Sequence, residues 1–150
     1  MKKLIGLSLI LLLLFGCFTG CAFLENISEK LTEAVDENSE SPEKIDAMLL
    51  ALAEGRADDA KALMHPDKAD ESADAIEQMI TYIDGRKVTD KKVVGLSVNI
   101  AATTNGKTRQ EAICYLLTLD DGTTLTVDSL YVSDNAGAGF TSFKLSLGLN

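Results

Sequence analysis

The side chains of this chain that could do chemistry are three thiols, one imidazole and a scatter of carboxylates. Cys17 and Cys21 each follow a glycine, in Leu14-Phe15-Gly16-Cys17 and Phe18-Thr19-Gly20-Cys21. A cysteine sulfur is a nucleophile that accepts an alkyl group once deprotonated. His65 is the single histidine, which excludes a multi-histidine metal site and a paired-imidazole device, and any Ser/His/Asp triad would have to use it. Pro66 follows it and disfavours helical geometry in its predecessor, so His65 is expected in a helix-ending turn, exposed at the surface. Asp67, Asp70, Glu71 and Asp74 could gather round a hard cation. Their segment lacks the glycine-punctuated alternation of a calcium loop, and acids at a helix start already meet its positive end, so neither a metal nor a cofactor is expected. Asp128 is the candidate for an isomerase-like general base, which would need apolar surroundings to raise its pKa. The plainer expectation is an outward carboxylate sharing the water face with Thr124 and Thr126. Gly137-Ala138-Gly139 lacks the lysine and the strand-to-helix setting of a phosphate loop and reads as a flexible hairpin. These residues assemble no catalytic set, and the chain is not expected to be an enzyme.

The two Gly-Cys pairs gain meaning from what precedes them. Lys2 and Lys3 give a cationic start, and Leu4 to Phe18 is an uncharged run of 15 residues. As a helix it would measure about 22 Å at roughly 1.5 Å per residue, short of a hydrocarbon core of about 30 Å. With no polar face to turn toward water, this is the pattern of a signal peptide and not of a buried core helix. Cationic start, apolar run and Gly-Cys together resemble the lipobox leader of bacterial lipoprotein precursors. That resemblance implies a diacylglyceryl group on the sulfur and cleavage just before the cysteine. Cys17 has the favoured leucine three residues upstream, and Cys21 has small Thr19 and Ala22 around it; both are candidates, with Cys17 preferred. Two acyl chains on one cysteine anchor stably where a single chain holds only marginally. The expected location is therefore the cell envelope, on the outer face of a bacterial membrane, tethered without spanning it.

Residues 1–21 are read as the signal peptide with its lipobox, and cleavage before the lipid-bearing cysteine leaves enough chain for one domain with one core. Without Lys2 and Lys3 there are 12 basic against 23 acidic side chains, a net charge of −11. That balance disfavours nucleic acid and acidic lipid surfaces as partners, so lipid and not charge must hold the protein down. Acidity is concentrated in the first half: residues 22–84 carry 17 acids and 5 bases, residues 85–150 six acids and seven bases. Cys114 is the one thiol beyond the leader, which rules out a disulfide framework and predicts a buried, inert side chain.

Periodicity locates the elements. Leu24, Ile27, Leu31 and Val35 recur at helical spacing among Glu25, Glu29, Lys30, Glu33 and Asp36, giving residues 22–40 as a helical stalk or a helix lying on the domain. The domain proper is residues 41–150. Ser41-Pro42 should start a helix carrying Ile45, Met48, Leu49 and Leu52 on one face, with serine as cap and proline at the first position. A short helix from Ala57 to Met64 and a third from Ala69 to Asp84, burying Ala73, Ile76, Ile80 and Ile83, should follow, with Gly85 supplying a left-handed turn. Beyond Gly85 the period becomes two. Val94, Leu96, Val98 and Ile100 define a strand with one covered face, Asn105-Gly106 a hairpin, and Ile113, Tyr115, Leu117 and Leu119 the inner face of the next strand. The apolar set moves from Leu125 and Val127 to Leu130 and Val132, which predicts a bulge near Asp128-Ser129. Phe143, Leu145 and Leu147 give the fourth strand its inner face. The fold class expected is α+β, with N-terminal helices on a curved four-stranded antiparallel meander.

Helices followed by such a meander resemble the nuclear-transport-factor-like, or cystatin-like, cone fold. The run from Ala51 through Gly55 to Pro66-Asp67 is similar to the "helix, glycine, short helix, Pro-Asp" opening common in that superfamily. The resemblance implies a domain that holds a ligand, a partner or a second copy of itself, with a few members acting as isomerases or dehydratases. The default pocket is the concave sheet face at Tyr115, Leu117, Val127 and Phe143. The leading expectation is a non-catalytic domain binding a small ligand or an envelope protein. The alternatives are a cone-fold enzyme using Asp128 or His65, and a self-associating homodimer with Tyr131 and Leu116 in the contact.

Overall fold

The computed structural model describes Lys30 and residues 39–103 and 106–147. The leader with Cys17 and Cys21, the amphipathic stretch apart from Lys30, the hairpin residues Thr104 and Asn105, and the last three residues lie outside the described part. The described chain is α+β: three helices precede a four-stranded antiparallel sheet in the order β1-β2-β3-β4.

Helix α1 spans Pro42–Ala53, α2 Ala57–Ala62 and α3 Ala73–Ile83. Proline stands at the start of α1, where its missing N–H costs nothing, and Ile45, Met48, Leu49 and Leu52 are buried as their spacing requires. Ser41 does not cap the helix with its side chain: its backbone is already helical at φ −87° and ψ −15°, and its hydroxyl is committed elsewhere. After α2 the chain leaves helical geometry to form a single parallel bridge, Met64 to Phe140. The His65 amide donates to the Phe140 carbonyl and the Phe140 amide to that of Leu63, each at 2.9 Å. Helix α3 begins four residues later than Ala69, because residues 66–72 form turns in which the Lys68 and Ala69 amides both donate to the His65 carbonyl. Ile76, Met79 and Ile83 are buried while Ala73 is exposed. The helix closes on Asp84 at φ 51° and Gly85 at φ 74°, and Arg86 Nε donates to the Ile83 carbonyl at 2.8 Å.

Strand β1 spans Val88–Thr103, β2 Gly106–Leu119, β3 Thr124–Ser133 and β4 Ala138–Leu147. The inner face of β2, Ile113 to Leu119 at alternate positions, shares one buried cluster with the helices. Two phase expectations are corrected. Strand β3 keeps one phase, with Leu125, Val127, Ser129 and Tyr131 all buried and the Ser129 hydroxyl donating to the Ile113 carbonyl at 2.9 Å. The irregularity lies in β4, where Thr141 is extra opposite Leu130 and Tyr131. In β1, Val94 is the extra residue between Val93 and Gly95, so Val93 is buried and Val94 exposed. Beyond this bulge Leu96 is half-buried, but Val98 and Ile100, expected to be covered, are 36% and 50% exposed. In β4 Phe143 is buried, whereas Leu147 is exposed.

Candidate functional site

The middle of the inner sheet face is core. Tyr115, Leu117, Val127 and Phe143, expected to line a pocket, join Ile45, Met48, Leu52, Ile76 and Ile83 in the buried cluster. Phe140 sits edge-to-face between Tyr131 and Phe143, with ring centroids 5.3 and 5.2 Å away. Tyr131 is therefore a buried inner-face residue. Leu116 pairs with Thr126 on the opposite face, so the two cannot share one self-association surface.

His65 is 2% exposed, not a surface residue. The Asp67 amide donates to Nδ1 at 3.4 Å, which leaves Nε2 to donate to Asp134 Oδ1 at 3.3 Å. The same oxygen accepts the Ala136 and Gly137 amides. These backbone donors, against the opposing cost of burial and with His65 helping, hold the Asp134 carboxyl below its usual range. The imidazole thus ties the turn after α2 to the β3–β4 hairpin. The acids near it are dispersed in separate pairs, Asp70 with Lys61 and Glu71 with Lys68, each at 2.9 Å. Among the described residues no three His, Cys, Asp or Glu side chains come together to hold a metal.

Glu111 has no exposed surface, and sequence reading did not single it out. Its Oε2 accepts the Ser41 amide at 3.0 Å and the Ser41 hydroxyl at 2.7 Å. Its Oε1 accepts the Glu40 amide at 2.9 Å and Arg109 Nε at 2.5 Å. Burial alone would raise its pKa, but the Glu40, Ser41 and Arg109 donors outweigh it and hold the carboxyl below the usual value. This carboxylate fastens the chain just ahead of α1 to the middle of the sheet. An acid in a strand with a basic residue two positions before it was the available signal.

Among the described residues, concavities occur on the outer sheet face and beside α1. The outer sheet face holds a shallow depression of about 500 Å³ lined by Ser97, Ala112, Cys114, Asp128, Leu130 and Lys144, among others. Asp128 is exposed there, sharing the outer face with Thr124 and Thr126 as expected, and is paired across the sheet with Cys114 and Lys144. Cys114 is partly exposed and not fully buried. Desolvation first, and the adjacent Asp128 second, push its thiol up to about 11, which suppresses the reactive thiolate at neutral pH.

The second surface is a groove of about 600 Å³ between α1, the end of α3 and the start of β1. Leu50 and Val88 lie in it 53% and 37% exposed, beside Asp46, Glu54, Asp90, Arg86, Lys87 and Lys91. Ion pairs flank it: Lys91 is paired to Asp46 and its ammonium lies 5.0 Å from the Tyr115 ring centroid, while Arg86 reaches Asp121 at 3.2 Å. Among the described residues β1 is an edge strand, and its first residues, Val88–Lys91, line this groove. Sequence periodicity could not find it, because Leu50 and Val88 sit in elements whose buried stripes explain them only in part. No family model, no curated protein and no solved structure matches this chain.

Proposed function

We propose that the chain is a bacterial envelope lipoprotein, held by lipid at Cys17 or Cys21 on the outer face of a membrane, whose α+β domain binds a ligand or protein segment without catalysis. The anchor reading is supported by the cationic start, apolar run and paired Gly-Cys of the leader. In detergent phase separation the wild type should enter the detergent phase and the double variant Cys17→Ser/Cys21→Ser the aqueous phase. Aqueous partition of both would remove the anchor.

The observation that carries the binding reading is the groove between α1 and β1, a concavity within the usual range for ligand sites, with an apolar floor at Leu50 and Val88 and a rim of both charges. The order of helix, Gly55, short helix, Pro66-Asp67 and meander supports the nuclear-transport-factor-like reading of such a binding domain. An apolar anion that fluoresces on burial, anilinonaphthalene sulfonate, probes the groove. Leu50→Glu should weaken its binding about fivefold to tenfold, the worth of one apolar contact, while an outer-face change, Ala112→Glu, leaves it unchanged. Equal binding by wild type and Leu50→Glu would rule the groove out.

A further inference from the structure

We infer that β1 pairs edge to edge with β1 of a second copy of this chain, antiparallel and centred on Val98, so that the two sheets join into one. The contact lies away from the groove beside α1 and does not depend on the binding reading.

Among the described residues β1 and β4 are the two edges of the sheet. The β4 edge is covered at Phe140, which exchanges hydrogen bonds of 2.9 Å with Leu63 and His65, and the strand carries Lys144. No other described segment pairs with β1 beyond its bulge at Val94. From Val93 to Thr103 it has no charged side chain and no proline, the devices that keep sheet edges from pairing.

The sheet's own hydrogen bonds show which groups β1 offers. The Leu119 amide donates to the Thr123 carbonyl, on the β3 side, and the Asp120 amide to the Lys87 carbonyl, on the β1 side. Backbone groups alternate sides along a strand, and β2 pairs with β3 without a shift, so the even-numbered residues of β2 face β1. Their partners Ser97, Asn99 and Ala101 are committed to β2, and the amides and carbonyls of Leu96, Val98 and Ile100 point outward.

The strand is complementary to itself, which selects a second copy as the occupant. With Val98 opposite its own copy, Leu96 stands opposite Ile100 and Ser97 opposite Asn99, so apolar meets apolar and polar meets polar. Val98 and Ile100, exposed on the inner face, gain cover from each other's copies. Charge agrees: residues 22–84 hold 17 acids against 5 bases, but residues 85–150 six against seven, so this pairing brings the near-neutral halves together. The bulge ends the ladder, which makes the contact short and places it among the small, weak interfaces.

Thiol cross-linking of the full chain, in excess detergent micelles with copper-phenanthroline and air as oxidant, tests the register. Residues of a hydrogen-bonded antiparallel pair stand about 5.5 Å apart at Cα, within disulfide reach. Val98→Cys should therefore give a covalent dimer at least tenfold above the wild type, whose native thiols set the background, with a yield that rises with protein concentration. Mass spectrometry should find the bond joining position 98 to position 98. Ile100 stands about 13 Å along the strand from its own copy, so Ile100→Cys should stay at the wild-type level. Both positions are exposed, so neither change empties the core. Equal cross-linking of the two variants would mean random collision, and Val98→Cys at background would mean that this edge meets no second copy; either result overturns the inference.

Discussion

Glu111→Ala is expected to cost about 3 to 5 kcal/mol, the usual loss when one member of a buried, hydrogen-bonded ion pair is removed and its partner left behind. The side chain is fully buried and accepts the Glu40 and Ser41 amides, the Ser41 hydroxyl and Arg109 Nε. Deleting it leaves the Ser41 amide and hydroxyl buried without this acceptor, strips the part-buried Glu40 amide and Arg109 Nε of theirs, and releases the chain entering α1. For a domain of this size the melting temperature should fall by roughly 15 °C or more. Removing Glu54, whose pair with Arg56 is exposed, should leave it almost unchanged.

The same carboxylate sets an acid limit. Its pKa is lower in the folded chain than in the unfolded one, so the unfolded state binds the proton more readily. Its contribution to stability is complete above the ordinary glutamate value near 4.5 and is lost as pH falls through the lower folded value. Asp121 and Asp134, also lowered, act in the same direction. Urea denaturation at stepped pH should show stability falling below about pH 4.5 in the wild type, with a shallower slope in Glu111→Gln. An unchanged slope would show that Glu111 does not supply the pH dependence.

Gly139→Ala should be nearly as damaging, by about 3 kcal/mol, the upper part of the range for overpacking a tight interior. A β-carbon there would stand 2.5 Å from the Met64 carbonyl carbon and 2.7 Å from His65 Cα, and against the His65 amide nitrogen. These are backbone atoms held by the Met64 to Phe140 bridge, so they cannot move aside singly. The cost is steric and owes nothing to a left-handed backbone, since Gly139 is not among the positive-φ glycines. Relief requires parting the turn after α2 from β4, which also pulls His65 from Asp134. Thermal unfolding read beside Gly95→Ala checks this, because a β-carbon at Gly95 meets only Cys114 Cβ at 3.4 Å and should cost little. Equal melting temperatures for the two variants would show that the β4 contact is loose.

Much of the architecture was legible because it follows from local rules. Proline at the start of α1, the three- and four-residue spacing of Ile45, Met48, Leu49 and Leu52, and the alternation from Ile113 to Leu119 each state an element and its buried side. The failures share one cause. Val94 and Thr141 shift register through pairing with neighbouring strands, and a one-residue slip exchanges the two faces of a sheet. Hydropathy placed Leu130 and Val132 on the inner face, but the ladder to β2 holds β3 in one phase and seats Ser129 and Tyr131 there instead. His65 was placed outside because Pro66 ends a helix beside it; the bridge to Phe140, distant in sequence, brings it in.

By itself, then, the sequence determined the order and kind of elements, the α+β class and the acidic character of the first half, since these depend on neighbours within a few residues and on composition. Only the tertiary structure decided that Tyr115, Leu117, Val127 and Phe143 are core, that Glu111 clasps the entrance to α1, and that a groove opens between α1 and β1. Those outcomes depend on which surfaces of separate elements meet, and contact between residues about 70 positions apart, such as Ser41 and Glu111, leaves no period in the chain.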